Sequence, residues 1–144
     1  MKILLTILLI GLTWNVYADD VCLTGSWYSP ERDGEGINIE VDVGEKDTIV
    51  SGFFYTYVSN SPNWYVFEGV IGNLTMYTGF KLSESPFKAV VREVGVAKIT
   101  YVTDNLMIYS YNLNVGPDGK PCISQCSGEY IYTRLTQPIA CEAE

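Results

Sequence analysis

Aromatic side chains are the residues of this sequence best suited to hold another molecule. They offer large apolar rings with polar tips, which suits the mouth of a pocket, a stack against a sugar ring, or a packed core or subunit interface. The residues predicted to contact a ligand are Tyr28, Tyr55, Tyr57, Trp64, Tyr65 and Glu68.

Glu68 shares its strand parity with Trp64, Val66 and Val70, so one carboxylate belongs to an otherwise apolar row. If that row faces inward, the carboxylate must be paired or protonated, because burial disfavours the charged form. If it faces outward, the carboxylate is simply solvated. We expect an outward or arginine-paired structural role.

Residues 31–36, Glu-Arg-Asp-Gly-Glu-Gly, gather three carboxylates and two glycines between two strand-like runs. Their oxygens could hold calcium, but the spacing is not that of an EF-hand and Arg32 supplies charge balance. We predict a solvated hairpin turn and no metal site. As an alternative, Glu35 hydrogen-bonds back to loop amides or guards one mouth of a barrel.

Catalysis has little support in the sequence. Histidine is absent, which removes Ser-His-Asp triads, His-ligated zinc and imidazole pH switches. Two carboxylates can hydrolyse a glycoside without histidine, and Glu35 with Glu68 is the least unfavourable pair, but nothing in the spacing sets their separation. We predict a protein that is not an enzyme and uses no cofactor.

The first 18 residues have the pattern of a secretory signal peptide. Lys2 precedes a short apolar run, and small residues lie at Val16 and Ala18, just before Asp19. The run is too short to span a bilayer, so no membrane anchor is predicted. We expect residues 19–144 to form one secreted or periplasmic domain. The net charge of -8 argues against nucleic acid or anionic lipid as a partner.

The four cysteines are consistent with a secreted or periplasmic protein. An exported chain meets oxidising conditions, where pairing is the default, whereas zinc would need close Cys-x-x-Cys pairs that are missing. Three connectivities are possible. If the first and last strands are neighbours, Cys22–Cys141 would join the chain ends and Cys122–Cys126 would close one loop.

Short β-rich runs separated by turn residues at even spacing predict an all-β barrel or sandwich. Short links such as Gly72-Asn73 and Asp104-Asn105 suit hairpins, so sequential neighbours should be antiparallel. The longer link 82–95 could carry an extra edge strand at 89–91. The eight predicted strands span 25–29, 36–43, 48–57, 63–71, 74–81, 96–103, 106–113 and 129–135.

The faces of these strands differ. In the second strand Ile37, Ile39, Val41 and Val43 alternate with polar residues, which predicts one buried and one wet face. The third, fourth and seventh strands carry apolar residues on both sides. Since a barrel interior covers only one side, the outer aromatic surface is expected to meet a partner, a second copy of the chain or a ligand.

Two groups of residues carry a resemblance to known families. Gly25-Ser26-Trp27 on the first strand and Arg134 on the last resemble the calycin superfamily of lipocalins, fatty-acid-binding proteins and avidins, in which a late arginine covers the first-strand tryptophan. The resemblance implies a closed, eight-stranded, antiparallel up-and-down barrel with Trp27 and Arg134 in contact. The Gly-x-Trp-Tyr-x-Pro and Arg-x-Gly-Glu-Gly patterns are also similar to a family of exported bacterial proteins of unestablished function, which implies a shared fold and no activity.

These observations together predict a non-catalytic binding protein. In the leading version a small apolar or amphipathic molecule binds in the barrel or at its mouth. The alternatives are a protein-interaction module of inhibitor or adhesion type, and a carbohydrate binder using the exposed aromatics. A homo-oligomer is compatible with each.

Overall fold

The structure is a computed structural model, and it describes residues 22–44, 46–58, 61–78, 91–116 and 119–136. The predicted signal peptide and Cys141 lie outside the described residues. So do the first two positions of the proposed edge strand at 89–91, whereas Val91 is described and is not in a strand.

The described residues form a closed antiparallel barrel in which every strand pairs with its sequence neighbours and β1 pairs with β8. This confirms the predicted fold class. The strands are β1 (Gly25–Tyr28), β2 (Gly36–Val43), β3 (Thr48–Val58), β4 (Ser61–Val70), β5 (Asn73–Thr78), β6 (Glu93–Thr103), β7 (Leu106–Leu113) and β8 (Ser127–Arg134).

Residues 79–81 of the predicted fifth strand lie outside the described residues. The other predicted strand limits are correct to within three residues, and β6 shows the largest difference. It begins at Glu93 instead of residue 96, because a register shift after Met76 lets Tyr77 pair with Glu93. Such a bulge inserts a residue without ending the ladder, and hydrophobic alternation does not reveal it.

The structure assigns the faces that alternation left undecided. On β3, Val50 and Phe54 point into the barrel, whereas Phe53, Tyr55 and Tyr57 point out. The inward sets of the other two strands are Tyr65 and Phe67 on β4, and Met107, Tyr109, Tyr111 and Leu113 on β7. On β2 the predicted alternation holds for Ile37 and Ile39, and Val43 is exposed where the strand ends.

Aromatic rings fill the middle of the barrel. Phe54 lies with its ring centroid 5.0 Å from Tyr109 and 5.1 Å from Tyr111, and Phe67 lies 5.8 Å from Tyr109. Gly52 makes room for Phe67 on the paired strand: a Cβ at position 52 would come within 2.5 Å of the Phe67 ring. The interior is therefore a packed core, as expected for a small barrel.

The barrel has two different ends. At the terminal end β1 starts and β8 finishes, and short turns join β2–β3, β4–β5 and β6–β7. At the loop end lie the β1–β2 turn, residues 29–35, and the β7–β8 loop. Each strand reverses the direction of the one before, so these assignments follow from the topology.

The terminal end is closed by Arg134, as the resemblance implied. Its guanidinium carbon lies 4.1 Å from the Trp27 ring centroid. Its Nη1 donates to the Thr24 carbonyl at 2.8 Å, and its other nitrogens donate to the carbonyls of Cys22 and Asp104. The predicted structural role of Trp27 and Arg134 therefore has a direct geometric basis.

The β7–β8 loop contains the predicted Cys122–Cys126 disulfide, with Cα atoms 5.7 Å apart. Cys22 is also disulfide-bonded, and its predicted partner Cys141 lies outside the described residues. A disulfide indicates an oxidising environment. Among the described residues there is no helix long and apolar enough to cross a membrane.

Candidate functional site

A recess of about 390 Å³ lies at the rim of the loop end. The end of β3 and the start of β4 build it, because the β3–β4 register places Tyr55 opposite Trp64 and Tyr57 opposite Pro62. Three of the six predicted ligand-contacting residues therefore meet in one place. The lining residues are Gly34, Tyr55, Thr56, Tyr57, Pro62, Asn63 and Trp64.

Gly34 shapes one wall of the recess. Its φ of 80° is in the left-handed region that favours glycine, and a Cβ there would come within 2.8 Å of the Tyr57 hydroxyl. The β1–β2 turn can therefore lie directly against the Tyr57 ring.

A strip of outward-facing rings continues from the recess along the outer surface of β3 and β4. Phe53 lies 6.5 Å from Tyr55 and 6.0 Å from Trp64, measured between ring centroids. Phe53 and Tyr55 are 41% and 48% exposed. These three residues, which we call the aromatic strip, form an apolar surface open to solvent.

The other predicted ligand contacts lie elsewhere. Tyr28 is exposed on β1. Tyr65 points into the barrel and is fully buried, with its ring 6.3 Å from Phe54. Glu68 is exposed, as expected, and pairs in register with Ser51 and Thr75. None of these three lines the recess.

The prediction that the whole β1–β2 turn is solvated is wrong at Glu35, which is buried. Its side chain is 1% exposed, and its Oε1 accepts hydrogen bonds from Arg32 Nη2 and Thr56 Oγ1, each at 2.6 Å. The sequence contained the signal: Glu35 has the same parity as Ile37 and Ile39, the buried face of β2. Glu35 is inside the wall and Glu68 outside it, so the carboxylate pair considered for glycoside hydrolysis is not assembled.

Arg32 lies over Glu35 at the loop end. Its guanidinium carbon is 4.6 Å from the Tyr130 ring centroid, and Nη1 donates to the Tyr130 hydroxyl at 2.7 Å. Burial opposes the charge of Arg32, but the hydrogen bond and charge of Glu35 outweigh it, so the pKa of Arg32 is raised above its ordinary value. Arg32 therefore carries a positive charge.

Buried tyrosines occupy the barrel interior, and Tyr111 and Tyr132 among them interact with this ion pair. Burial raises the pKa of Tyr65 to about 12 and that of Tyr111 to about 12. The pKa of Tyr132 is raised well above its usual value, first by burial and then by the charge of Glu35. These phenols are neutral at physiological pH and can donate hydrogen bonds.

Sequence reasoning missed the inward polar residues at this end. Thr56 has the parity of Phe54, and Tyr130 and Tyr132 have the parity of Arg134, so each could have been assigned to the interior once one inward residue was known. The position of Ser29, two residues beyond Trp27, follows the same rule. Arg32 lies in a turn, where parity gives no information.

The described part of the chain contains no group of three or more histidine, cysteine, aspartate or glutamate residues placed to hold a metal ion. Comparisons with protein-family models, curated proteins and solved structures found no match to the chain.

Proposed function

We propose that this is an exported, non-catalytic protein that binds a small apolar or amphipathic molecule at the loop end of its barrel. The observation that carries the proposal is the recess of about 390 Å³ walled by Tyr55, Tyr57 and Trp64. Small-molecule sites commonly have volumes of about 300 to 1,000 Å³, with mostly apolar walls and a few polar groups.

The recess fits this role better than the middle of the barrel. Phe54, Phe67 and Tyr109 occupy the central interior and are fully buried against one another. At the rim, by contrast, apolar ring faces adjoin the polar residue Asn63, which supports a ligand with an apolar body and a polar group.

Two further observations support the remaining parts of the proposal. The Cys122–Cys126 disulfide suits a periplasmic or secreted protein, which agrees with the signal peptide predicted at residues 1–18. A non-catalytic role is supported by the positions of Glu35 and Glu68 on opposite sides of the barrel wall.

A fluorescence titration with the neutral apolar probe N-phenyl-1-naphthylamine tests the proposal. We expect saturable binding of one probe per chain, and about tenfold weaker binding in Trp64→Ala, because burial of a large ring contributes about 1.5 to 3 kcal/mol. Ile131→Ala is the control, since Ile131 is an exposed apolar residue that lies on β8 and does not line the recess. Absence of saturable binding, or equal affinity in Trp64→Ala, would contradict the proposal.

A second candidate is carbohydrate binding on the aromatic strip, which exposed, adjacent rings favour. Phe53 separates the two candidates because it belongs to the strip and does not line the recess. If sugars are the ligand, Phe53→Ala and Trp64→Ala should both abolish binding on a glycan array. If the recess is the site, Phe53→Ala should leave probe binding unchanged.

A further inference from the structure

The carboxylate of Glu35 is only half satisfied. Oε1 accepts two hydrogen bonds, from Arg32 and Thr56. Oε2 is equally buried and has no hydrogen-bond partner among the described residues. A carboxylate has about four lone-pair sites, so one whole oxygen is left with its capacity unused.

Three buried hydroxyls share this condition: those of Ser29, Tyr65 and Tyr132 have no hydrogen-bond partner among the described residues. We call these three residues and Glu35 the interior polar cluster. A further unpartnered hydroxyl, that of Thr48, lies at the terminal end of β3 and does not belong to it.

The cluster is a single region of the interior. Ser29 and Glu35 begin and end the β1–β2 turn, and Tyr132 lies beside Ser29 because Tyr28 pairs with Thr133. Tyr65 and Tyr111 both lie against Phe54, at 6.3 and 5.1 Å between ring centroids, and Tyr132 lies 6.0 Å from Tyr109, which is 5.0 Å from Phe54. Glu35 accepts a hydrogen bond from Thr56, two residues beyond Phe54 on β3. The four residues of the cluster, two in the β1–β2 turn and one each on β4 and β8, therefore surround one part of the interior.

Leaving a buried polar group without a partner costs about 1 to 3 kcal/mol, and native proteins keep few such groups. Four at one end of a small barrel is a concentrated cost. Replacing the hydroxyls by apolar groups would remove most of it. Hydrogen bonds to a bound molecule would offset this cost.

Arg32 covers the cluster. Its side chain is 22% exposed, compared with 1% for Glu35 beneath it. Its turn is held by two backbone hydrogen bonds, Arg32 to Ser29 at 3.2 Å and Glu35 to Arg32 at 3.0 Å. Displacement of this one short turn would open the cluster from the loop end.

The charges and donors of the cluster define the ligand that it fits. Arg32 balances Glu35, so no net charge is left to attract an ion. Glu35 Oε2 accepts hydrogen bonds only, whereas the phenols of Tyr65 and Tyr132 are neutral donors. A matching ligand therefore carries both a donor and an acceptor.

We propose that the interior polar cluster is a second binding site, for a small uncharged molecule of the amide or hydroxyl class whose N–H or O–H binds Glu35 and whose oxygen binds the tyrosines. None of the four residues lines the recess. This proposal is thus independent of ligand binding in the recess. Trp64→Ala should not change binding to the cluster, and failure of this proposal would not count against binding in the recess.

Three nearly isosteric probes test the charge preference: acetamide, acetate and acetamidinium. With ring-labelled tyrosine, NMR titration should show that acetamide shifts the Tyr65 and Tyr132 signals and leaves Tyr101, at the terminal end, unchanged. Acetate and acetamidinium should cause no such shifts, because each adds an unbalanced charge to the interior. Equal response to all three, or no response to acetamide, would overturn the proposal.

Tyr132→Phe removes one of the donors without changing shape. Acetamide should bind about tenfold more weakly, the usual effect of one hydrogen bond. The free variant should be as stable as the wild type or more stable, because it loses an unpartnered hydroxyl. A hydroxyl with a purely structural role would instead make Tyr132→Phe less stable and leave acetamide binding unchanged.

Two controls complete the test. Tyr101→Phe is the matched variant, since the Tyr101 hydroxyl donates to Asp104 away from the cluster; its affinity for acetamide should equal that of the wild type. Ser29→Ala should weaken acetamide binding as Tyr132→Phe does. A crystal structure grown in acetamide that shows only ordered water bonded to all four side chains would overturn the proposal.

Discussion

The Arg134 guanidinium covers the Trp27 indole at 4.1 Å, and the two residues are in register on β8 and β1. The contact spans the one strand pair that joins the two ends of the sequence, so it completes the closed sheet. The Trp27 indole N–H in turn donates to the Leu23 carbonyl at 3.0 Å. Closure of the barrel is thus secured by side chains as well as by the short β1–β8 ladder, in which Trp27 pairs with Arg134 and Tyr28 with Thr133.

We expect Arg134→Ala to lower the free energy of unfolding by about 2 to 4 kcal/mol. The variant loses the cation–π contact and leaves three backbone carbonyls without their charged donor. Urea denaturation measures the change. Arg92→Ala is the matched control, because Arg92 is exposed and donates to one carbonyl, Gly119. A similar loss in both variants would show that Arg134 does not close the barrel.

The strand number and the antiparallel pairing of neighbours could be predicted because the information is local and repeated, whereas closure was implied by the resemblance that Trp27 and Arg134 carry. Hairpin links fix antiparallel neighbours, and alternation on β2 identifies a buried face. The faces of β3, β4 and β7 could not be predicted in the same way, since both sides of each are apolar. On β3, for example, Phe54 is buried in the core, whereas Phe53 and Tyr55 lie on the outer surface.

The candidate site was only partly predictable for the same reason. Tyr55, Tyr57 and Trp64 meet because β3 and β4 pair in a particular register, which sequence spacing alone does not define. Glu35 was predictable from its parity with Ile37. A glutamate between two glycines resembles a solvated turn, however, and only Arg32 and Thr56, distant or irregular in sequence, make its burial possible.

Removal of the Cys122–Cys126 disulfide, by replacing both cysteines with serine, should lower the free energy of unfolding by about 2 kcal/mol. The bond closes a loop with a sequence separation of only 4, so it restricts the unfolded chain little. Urea denaturation under oxidising conditions checks the value. Loss of folding in this variant would show that the β7–β8 loop contributes far more than chain entropy.

Stability should fall as the pH rises from about 10 to 12. Tyr65, Tyr109, Tyr111 and Tyr132 have raised pKa values because they are buried. Above about pH 10 these residues lose protons in the unfolded chain and keep them in the folded protein, so the unfolded state gains stability. Each tyrosine contributes at most about 1.4 kcal/mol per pH unit. Below pH 10 these phenols are protonated in both states, so they do not make stability depend on pH.

Urea denaturation at pH 8, 10 and 11 measures this dependence. Tyr132→Phe should reduce the slope above pH 10, because one of the protons is no longer bound. Tyr101→Phe is the comparison, since Tyr101 is partly exposed at the terminal end. Stability that stays constant between pH 8 and pH 11 would mean that solvent reaches these hydroxyls in the folded protein.

Arg32→Met should lower the free energy of unfolding by about 3 kcal/mol at pH 8, as measured by urea denaturation. Without the guanidinium, the buried Glu35 carboxylate has lost its opposite charge, and removing one member of a buried ion pair usually costs about 3 to 5 kcal/mol.

The Arg32–Glu35 ion pair can also be tested by removing both of its charges. Arg32→Met combined with Glu35→Gln removes both charges and should restore much of the lost stability at pH 8, while Arg92→Met should have a small effect because Arg92 is exposed. If the double variant is no more stable than Arg32→Met, the loss comes from the packing of the Arg32 stem against Tyr130 rather than from the charge that it balances.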